Sequence, residues 1–227
     1  MTTKNKPARS GNLHRRAAMG LIAAFLVGGS ASMAFATSPA SDTSADYATA
    51  QKIADHFSAI KTMEGEFVQF GPRGDQVGGH FYIDRPGRLR FDYDTKNDFK
   101  VVADGKSVAV SNPRMKTFNV YPLDKTPLTL LLANKIDLSG GKLKSVTQGP
   151  DLTTIKLADR SVFGNSKLTM MFDPKSYALR QWTITDPQGK DTTVMIFNVK
   201  EGMTLDPSLF TINYAKIQGK YNSNRGK

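Results

Sequence analysis

The chain has 227 residues, no cysteine, and 31 Lys and Arg against 20 Asp and Glu, a formal net charge of +11. Without cysteine there is no disulfide, no thiolate nucleophile and no sulfur ligand for a metal. The charge is unevenly spread. Met1 to Arg16 hold five cations, Lys4, Lys6, Arg9, Arg15 and Arg16, and no acid. Ala17 to Val27 is an unbroken apolar run, and Ala34-Phe35-Ala36 has the small-x-small spacing of a signal-peptidase site. This pattern reads as a cleavable export signal over residues 1–36. The apolar run is shorter than the about 20 residues a membrane span needs.

Removing the signal leaves about 190 residues, the size of one domain. It also removes five of the 31 cations, leaving 26 against 20 acids, a net charge of +6. Export and that modest charge argue against a nucleic-acid partner, and none is expected. No cysteine follows Ala36 to carry a lipid anchor. The mature chain is therefore expected to be unattached and soluble after export.

Residues 37–43 are rich in Ser, Pro and Ala and are expected to be flexible. Next, Tyr47, Ala50, Ile53, Phe57 and Ile60 recur at spacings of three and four. One apolar stripe predicts a helix over 44–61. The period then changes to two. Phe67 to Phe70 starts a strand, and Gly71-Pro72-Arg73-Gly74 and Gly78-Gly79 read as turn punctuation. Phe81 and Ile83 alternate with polar neighbours, as do Leu89, Phe91 and Tyr93. Asp104-Gly105 between apolar runs predicts a hairpin. A strand follows over 117–121.

Residues 126–134 break the β pattern. Thr126 reads as an N-cap, Pro127 as the first helical residue and Asn134 as the close of a short Leu-rich helix. Strands resume over 143–148, 153–158, 167–173, 178–186 and 192–200, separated by Gly and Pro turns. The chain ends in a basic, Gly/Asn-containing tail, 216–227, read as flexible. Ten to eleven antiparallel strands with one helix ahead and one inserted predict a mainly β fold. The sheet is expected to be strongly curved or an open barrel, with the helices against it.

Catalytic constellations are scarce. His56 and His80 lie on different elements, outside any metal-spaced cluster. Ser58-Ala59-Ile60-Lys61 matches Ser-x-x-Lys, but the companion Ser-Asp-Asn and Lys-Thr-Gly motifs are missing. The chain does not read as an enzyme. Its informative features are apolar, and alternation alone leaves two outcomes for the inner face: a solid core or a ligand cavity.

One segment narrows this. Phe81-Tyr82-Ile83-Asp84-Arg85-Pro86-Gly87-Arg88-Leu89-Arg90-Phe91 resembles the Arg-Pro-Gly-Arg-hydrophobic-Arg signature of the LolA family of periplasmic lipoprotein carriers. Phe67-Val68-Gln69, Val102-Ala103-Asp104-Gly105, Pro127 to Leu132, Asp186-Pro187-Gln188-Gly189 and Asp206-Pro207-Ser208-Leu209-Phe210 resemble further family pieces, in order. The likeness runs from about Tyr47 to Asn213.

The resemblance implies an unclosed antiparallel β-barrel with a helical lid, occupying residues 44–215. It implies a soluble, monomeric periplasmic carrier that performs no chemistry and needs no cofactor or metal. Such a carrier takes lipoproteins from an inner-membrane ATP-driven exporter to the outer membrane, where a receptor can complete the relay. Arg85 corresponds to the family's functional arginine and is expected to latch the lid. Ile53, Phe57, Phe67, Phe81, Ile83, Leu89, Phe91, Met170 and Trp182 are expected to line an acyl-chain cavity. Leu128, Leu131 and Leu132 are expected to pack the inserted helix onto its opening. The alternative left open is a periplasmic lipid- or lipoprotein-binding sensor, or another envelope module, of the same fold.

Overall fold

The structure, a computed structural model, describes residues 43–96, 98–161 and 164–215. The expected signal (1–36), the flexible segment up to residue 42 and the basic tail (216–227) lie outside the described residues. Thr43, read as part of the flexible segment, is instead the first residue of helix α1.

Helix α1 spans Thr43–Ala59 and buries Ala50, Ile53, Ala54 and Phe57. These residues fall on one side at spacings of three and four, as the sequence pattern requires. Six strands follow: β1 (Thr62–Phe70), β2 (Gln76–Asp84), β3 (Arg88–Tyr93), β4 (Lys100–Asp104), β5 (Ser107–Asn112) and β6 (Thr117–Pro122). After a connecting segment come β7 (Leu143–Gln148), β8 (Thr153–Ser161), β9 (Gly164–Phe172), β10 (Leu179–Thr185) and β11 (Asp191–Glu201).

All eleven strands form one antiparallel sheet in the order β6-β5-β4-β3-β2-β1-β11-β10-β9-β8-β7. The first and last strands pair through the β1–β11 ladder, which carries a bulge between Glu64 and Glu66. The sheet stays open, with β6 and β7 as its two edges. These edges are neighbours in sequence, so the segment joining them bridges the two wings.

Ring distances measure the curvature. Phe91 on β3 and Trp182 on β10 have centroids 6.1 Å apart. Four strand-to-strand steps separate them, about 19 Å across a flat sheet at about 4.8 Å per step. The sheet therefore curls until both wings share one core. Trp182, Phe67, Phe81, Phe172, Met63 and Leu157 are among its fully buried members.

Two sequence expectations are corrected. Gly78 and Gly79 are not a turn; both lie inside β2. A Cβ on Gly79 would stand 2.1 Å from the Asp92 carbonyl oxygen and 2.7 Å from the Phe67 ring. Glycine is there so that a neighbouring strand and an aromatic ring can approach the backbone. The inserted helix is also shorter than expected. A 3-10 turn over Leu123–Lys125 precedes α2, which spans only Leu128–Leu132. Thr126 does not cap it; its Oγ1 donates to the Leu123 carbonyl at 2.9 Å. Thr129 Oγ1 donates to the same carbonyl at 2.7 Å. Burial of Leu123 draws the chain inward before the helix can start. Backbone at Ala133 is already extended, so Asn134 does not close the helix.

The last described residues pass over the outer face of β3 to β5. A 3-10 turn over Pro207–Phe210 opens at Asp206, whose carboxylate accepts from the Ser208 N–H at 2.9 Å. Arg90 Nη1 donates to the Leu209 carbonyl at 3.3 Å. Ile212 packs on Val102 and Ala109, which face away from the main core. Tyr214 Oη donates to Asp104 Oδ2 at 2.6 Å.

Candidate functional site

The β2–β3 turn joins the sheet to both helical covers. Arg85, Pro86 and Gly87 form it. Gly87 has φ +80°, and a Cβ there would meet the Gly105 Cα at 2.8 Å, so the position needs glycine twice over. The Gly87 N–H donates to the Leu132 carbonyl at the end of α2, at 2.9 Å. The Arg85 N–H donates to the Lys61 carbonyl just beyond α1, at 2.8 Å.

The Arg85 side chain reaches the end of α1. Its Nη2 donates to the Phe57 carbonyl at 2.6 Å and also to the Ile60 carbonyl. Carbonyls in the last turn of a helix lack intrahelical donors, and a guanidinium can supply them. The Arg85 Cζ sits 3.9 Å from the centroid of the Phe57 ring, within cation–π range.

Arg85 is only 4% exposed. Burial lowers its pKa to about 10, partly opposed by the Glu201 carboxylate, so it stays charged at neutral pH. No ion pair to Arg85 forms among the described residues. Its Nε and Nη1 are buried without a hydrogen-bond partner among the described residues. A buried cation with unused donors costs several kcal/mol before its contacts offset the loss of water.

The twelve apolar candidates fall around one interior. Ile53 and Phe57 come from α1, Phe67 from β1, Phe81 and Ile83 from β2, and Leu89 and Phe91 from β3. Met170 on β9 and Trp182 on β10 reach the same core from the other wing. Leu131 and Leu132 of α2 are buried in it, and Leu128 packs against it half-buried. The Phe67 ring meets Phe91 edge-on at 4.7 Å, and Phe57 meets Phe172 at 5.7 Å. These side chains are buried together in one apolar cluster. Beside the Arg85 loop lies an open, mostly apolar cleft of about 450 Å³, lined by Pro86, Gly87, Lys106, Leu123, Leu132 and Ala133.

Sequence reasoning missed a second set of ties. Ser58 Oγ donates to the Ala54 carbonyl at 2.5 Å and accepts from the Ile136 N–H at 3.1 Å. Lys61 Nζ donates to the Ser58 carbonyl at 2.9 Å and to Asn134 Oδ1 at 3.0 Å. The Ser-x-x-Lys match thus has a structural use: it laces α1 to the segment after α2. No sequence signal pointed to it, because the partners are more than 70 residues away. A polar pair also lies within the aromatic cluster. Tyr93 Oη donates to Gln69 Oε1 at 2.7 Å, and burial raises the phenol pKa.

No group of three or more His, Cys, Asp or Glu among the described residues could hold a metal ion. No helix among them is long and apolar enough to cross a membrane.

An open antiparallel sheet curled around an apolar interior, with helices tied over it by a buried arginine, defines a class of helix-covered open barrels. The chain belongs to the family described as outer membrane lipoprotein carrier protein LolA, which it matches over residues 58–213. It is similar to the outer-membrane lipoprotein carrier protein of Azotobacter vinelandii, 26% identical over 195 residues, covering 78% of this chain and 88% of the relative. The carrier protein of Chromohalobacter salexigens is 25% identical over 174 residues, covering 71% and 81%. Among solved structures, a LolA superfamily protein from Nitrosomonas europaea aligns over 73% of this chain and 98% of its own, with 11% identity and a TM-score of 0.40.

Proposed function

We propose that this protein is a soluble periplasmic carrier that takes lipoproteins from an inner-membrane ATP-driven exporter and delivers them toward the outer membrane. Residues 1–36 are its cleaved export signal and 44–215 its carrier domain. Acyl chains enter the interior as α1 and α2 lift and the side chains beneath them part. No bond in the cargo is made or broken.

The observation that supports this most is Arg85. A charged side chain buried at the seam of an apolar interior, holding a helix through two carbonyls and carrying unused donors, is a poor choice for a permanent core. It suits a fastening that must open. The two covers also meet the same three-residue turn, so release at Arg85 and Gly87 frees both.

Energetics set the need. Each buried CH₂ contributes about 0.8 kcal/mol, so a chain of about 15 methylenes would cost about 12 kcal/mol in water. A carrier must offset most of that and still let go. An interior that its own side chains refill on closing meets both demands, because Phe67, Phe91, Met170 and Trp182 replace the departing chain. Relatives that carry the carrier name and align over most of their length favour this reading over a sensor of the same fold.

The test is a release assay. Spheroplasts holding radiolabelled lipoprotein in the inner membrane are incubated with and without the mature protein. Soluble lipoprotein, co-eluting with the protein, is the expected result. Lipoprotein that stays membrane-bound in both arms rules the carrier reading out.

A further inference from the structure

The unused donors of Arg85 suggest a role beyond fastening the cover. A guanidinium carries five N–H donors in a planar fork. Nη2 is engaged with the Phe57 and Ile60 carbonyls. Nε and Nη1 have no hydrogen-bond partner among the described residues, although the residue is only 4% exposed. Native proteins leave few buried donors unpaired, and one on a cation is costlier than one on a neutral group. Two on one guanidinium, at the seam through which a ligand would enter, imply an acceptor that arrives from outside.

The surroundings limit what that acceptor can be. The Phe57 ring lies against the guanidinium, and Leu132 and Pro86 line the adjoining cleft. A strongly hydrated anion would have to shed its water beside these apolar groups. A neutral carbonyl oxygen at the head of an alkyl chain carries a much smaller desolvation cost. Its chain then continues into the apolar interior. Glu201 acts on Arg85 through its field, and no carboxylate forms an ion pair with Arg85 among the described residues.

The geometry points to Arg85 as the binding group for the acyl carbonyl, ester or amide, at the head of each chain taken up behind the cover. This deepens the carrier reading and rests on it. When the cover lifts, the guanidinium gives up the Phe57 and Ile60 carbonyls and takes cargo carbonyls, through the donors that were unpaired before. The cargo carbonyls take Nε and Nη1, and Nη2 is the donor that returns to the α1 carbonyls when the cover closes.

The experiment compares a synthetic lipopeptide bearing ester- and amide-linked acyl chains with an analogue whose chains are ether-linked alkyls of equal length. A free fatty acid forms a third arm. Affinity is measured by displacement of a fluorescent probe from the mature wild-type protein and from Arg85→Met. Hydrogen bonds to charged groups predict that the wild type binds the acyl lipopeptide about tenfold or more tighter than the ether analogue. In Arg85→Met the two should bind within about twofold, since Met keeps the length and loses every donor. Should that variant not fold, the wild-type ratio alone still decides, together with the Arg85 Nε–H resonance. That resonance should move on loading with the acyl lipopeptide and stay in place with the ether. Equal wild-type affinities, or an unchanged ratio in the variant, overturns the carbonyl role while leaving the carrier reading intact. Tighter binding of the fatty acid than of the lipopeptide also overturns it, because the site would then select a carboxylate. Failure of all three ligands to bind counts against the carrier reading itself.

Discussion

On the concave face of the sheet, α1, α2 and residues 132–138 lie over the large core; on the convex face, residues 205–214 lie over β3 to β5. The two covers are held by different physics. The concave cover buries whole aromatic and aliphatic side chains, yet its polar fastening includes a buried cation with two unpaired nitrogens. The convex cover buries Leu205, Phe210 and Ile212, the last on Val102 and Ala109, and makes hydrogen bonds at or near the surface. The convex strap is modest, and beneath it the Arg88 guanidinium lies 5.8 Å from the Phe210 ring with its Nε unpaired among the described residues. The concave cover combines a large apolar gain with an uncompensated polar cost. That combination suits an element that moves when a ligand supplies what is missing; at the strap the unpaired nitrogen belongs to a partly exposed arginine that Asp84 neutralises.

The largest break in this contrast is Trp182→Ala. It removes a fully buried ring where the wings meet, and truncations of this kind cost about 3–5 kcal/mol. A urea melt should show that loss with little change in slope.

Arg85→Leu should act locally instead. It leaves the Phe57 and Ile60 carbonyls without their donor, and charge-assisted bonds of this sort contribute about 1.5–3 kcal/mol. Amide exchange within α1 should quicken about tenfold or more, while β9 and β10 keep their protection. Uniform loss of protection would show that Arg85 supports the whole core and not the cover.

Ser58→Ala sharpens the same side of the comparison. It strands the buried Ile136 N–H, at a cost of about 1–3 kcal/mol, and should loosen residues 132–138 together with α1. Independent exchange of the two segments would separate them into two covers.

The convex strap should respond to pH. Burial alone would raise the Asp104 pKa, but hydrogen bonds from Tyr214 and the Ser107 and Lys106 N–H groups outweigh it and hold the carboxyl below its usual 3.8. The folded value is the lower one, so this stabilisation is complete above the unfolded pKa and fades as pH falls through the folded one. The Ile212 methyl resonances should shift in that acid window, and Tyr214→Phe should remove the shift. The smallest effect belongs to Lys200→Ala, whose 3.3 Å pair with Glu64 is exposed. It should move the melting midpoint by no more than a surface ion pair does, about 0.5 kcal/mol or less.

Much of this fold is local in origin. The α1 stripe, the alternation of Leu89, Phe91 and Tyr93, and the Asp104-Gly105 turn were legible because helix and strand periods write themselves into neighbouring residues. The misreadings have non-local causes. Gly78-Gly79 resembles a turn until Phe67 and the Asp92 carbonyl are seen against Gly79. Thr126 resembles a cap until Leu123 is found buried. The Ser58 and Lys61 ties reach across more than 70 residues, which no window of sequence contains. The strap over β3 to β5 buries Leu205, Phe210 and Ile212, but these residues repeat with neither the helix nor the strand period.

The sequence by itself determined the succession of helix, hairpins and apolar faces, because each depends on residues within a few positions. The Arg-Pro-Gly-Arg segment also carried the family likeness. Only the tertiary structure decided that the sheet curls until β3 and β10 share a core. It alone brought Arg85 to the end of α1, satisfied by two carbonyls and left with donors to spare. Curvature and burial are sums over the whole chain, and the state of a buried charge depends on every group around it.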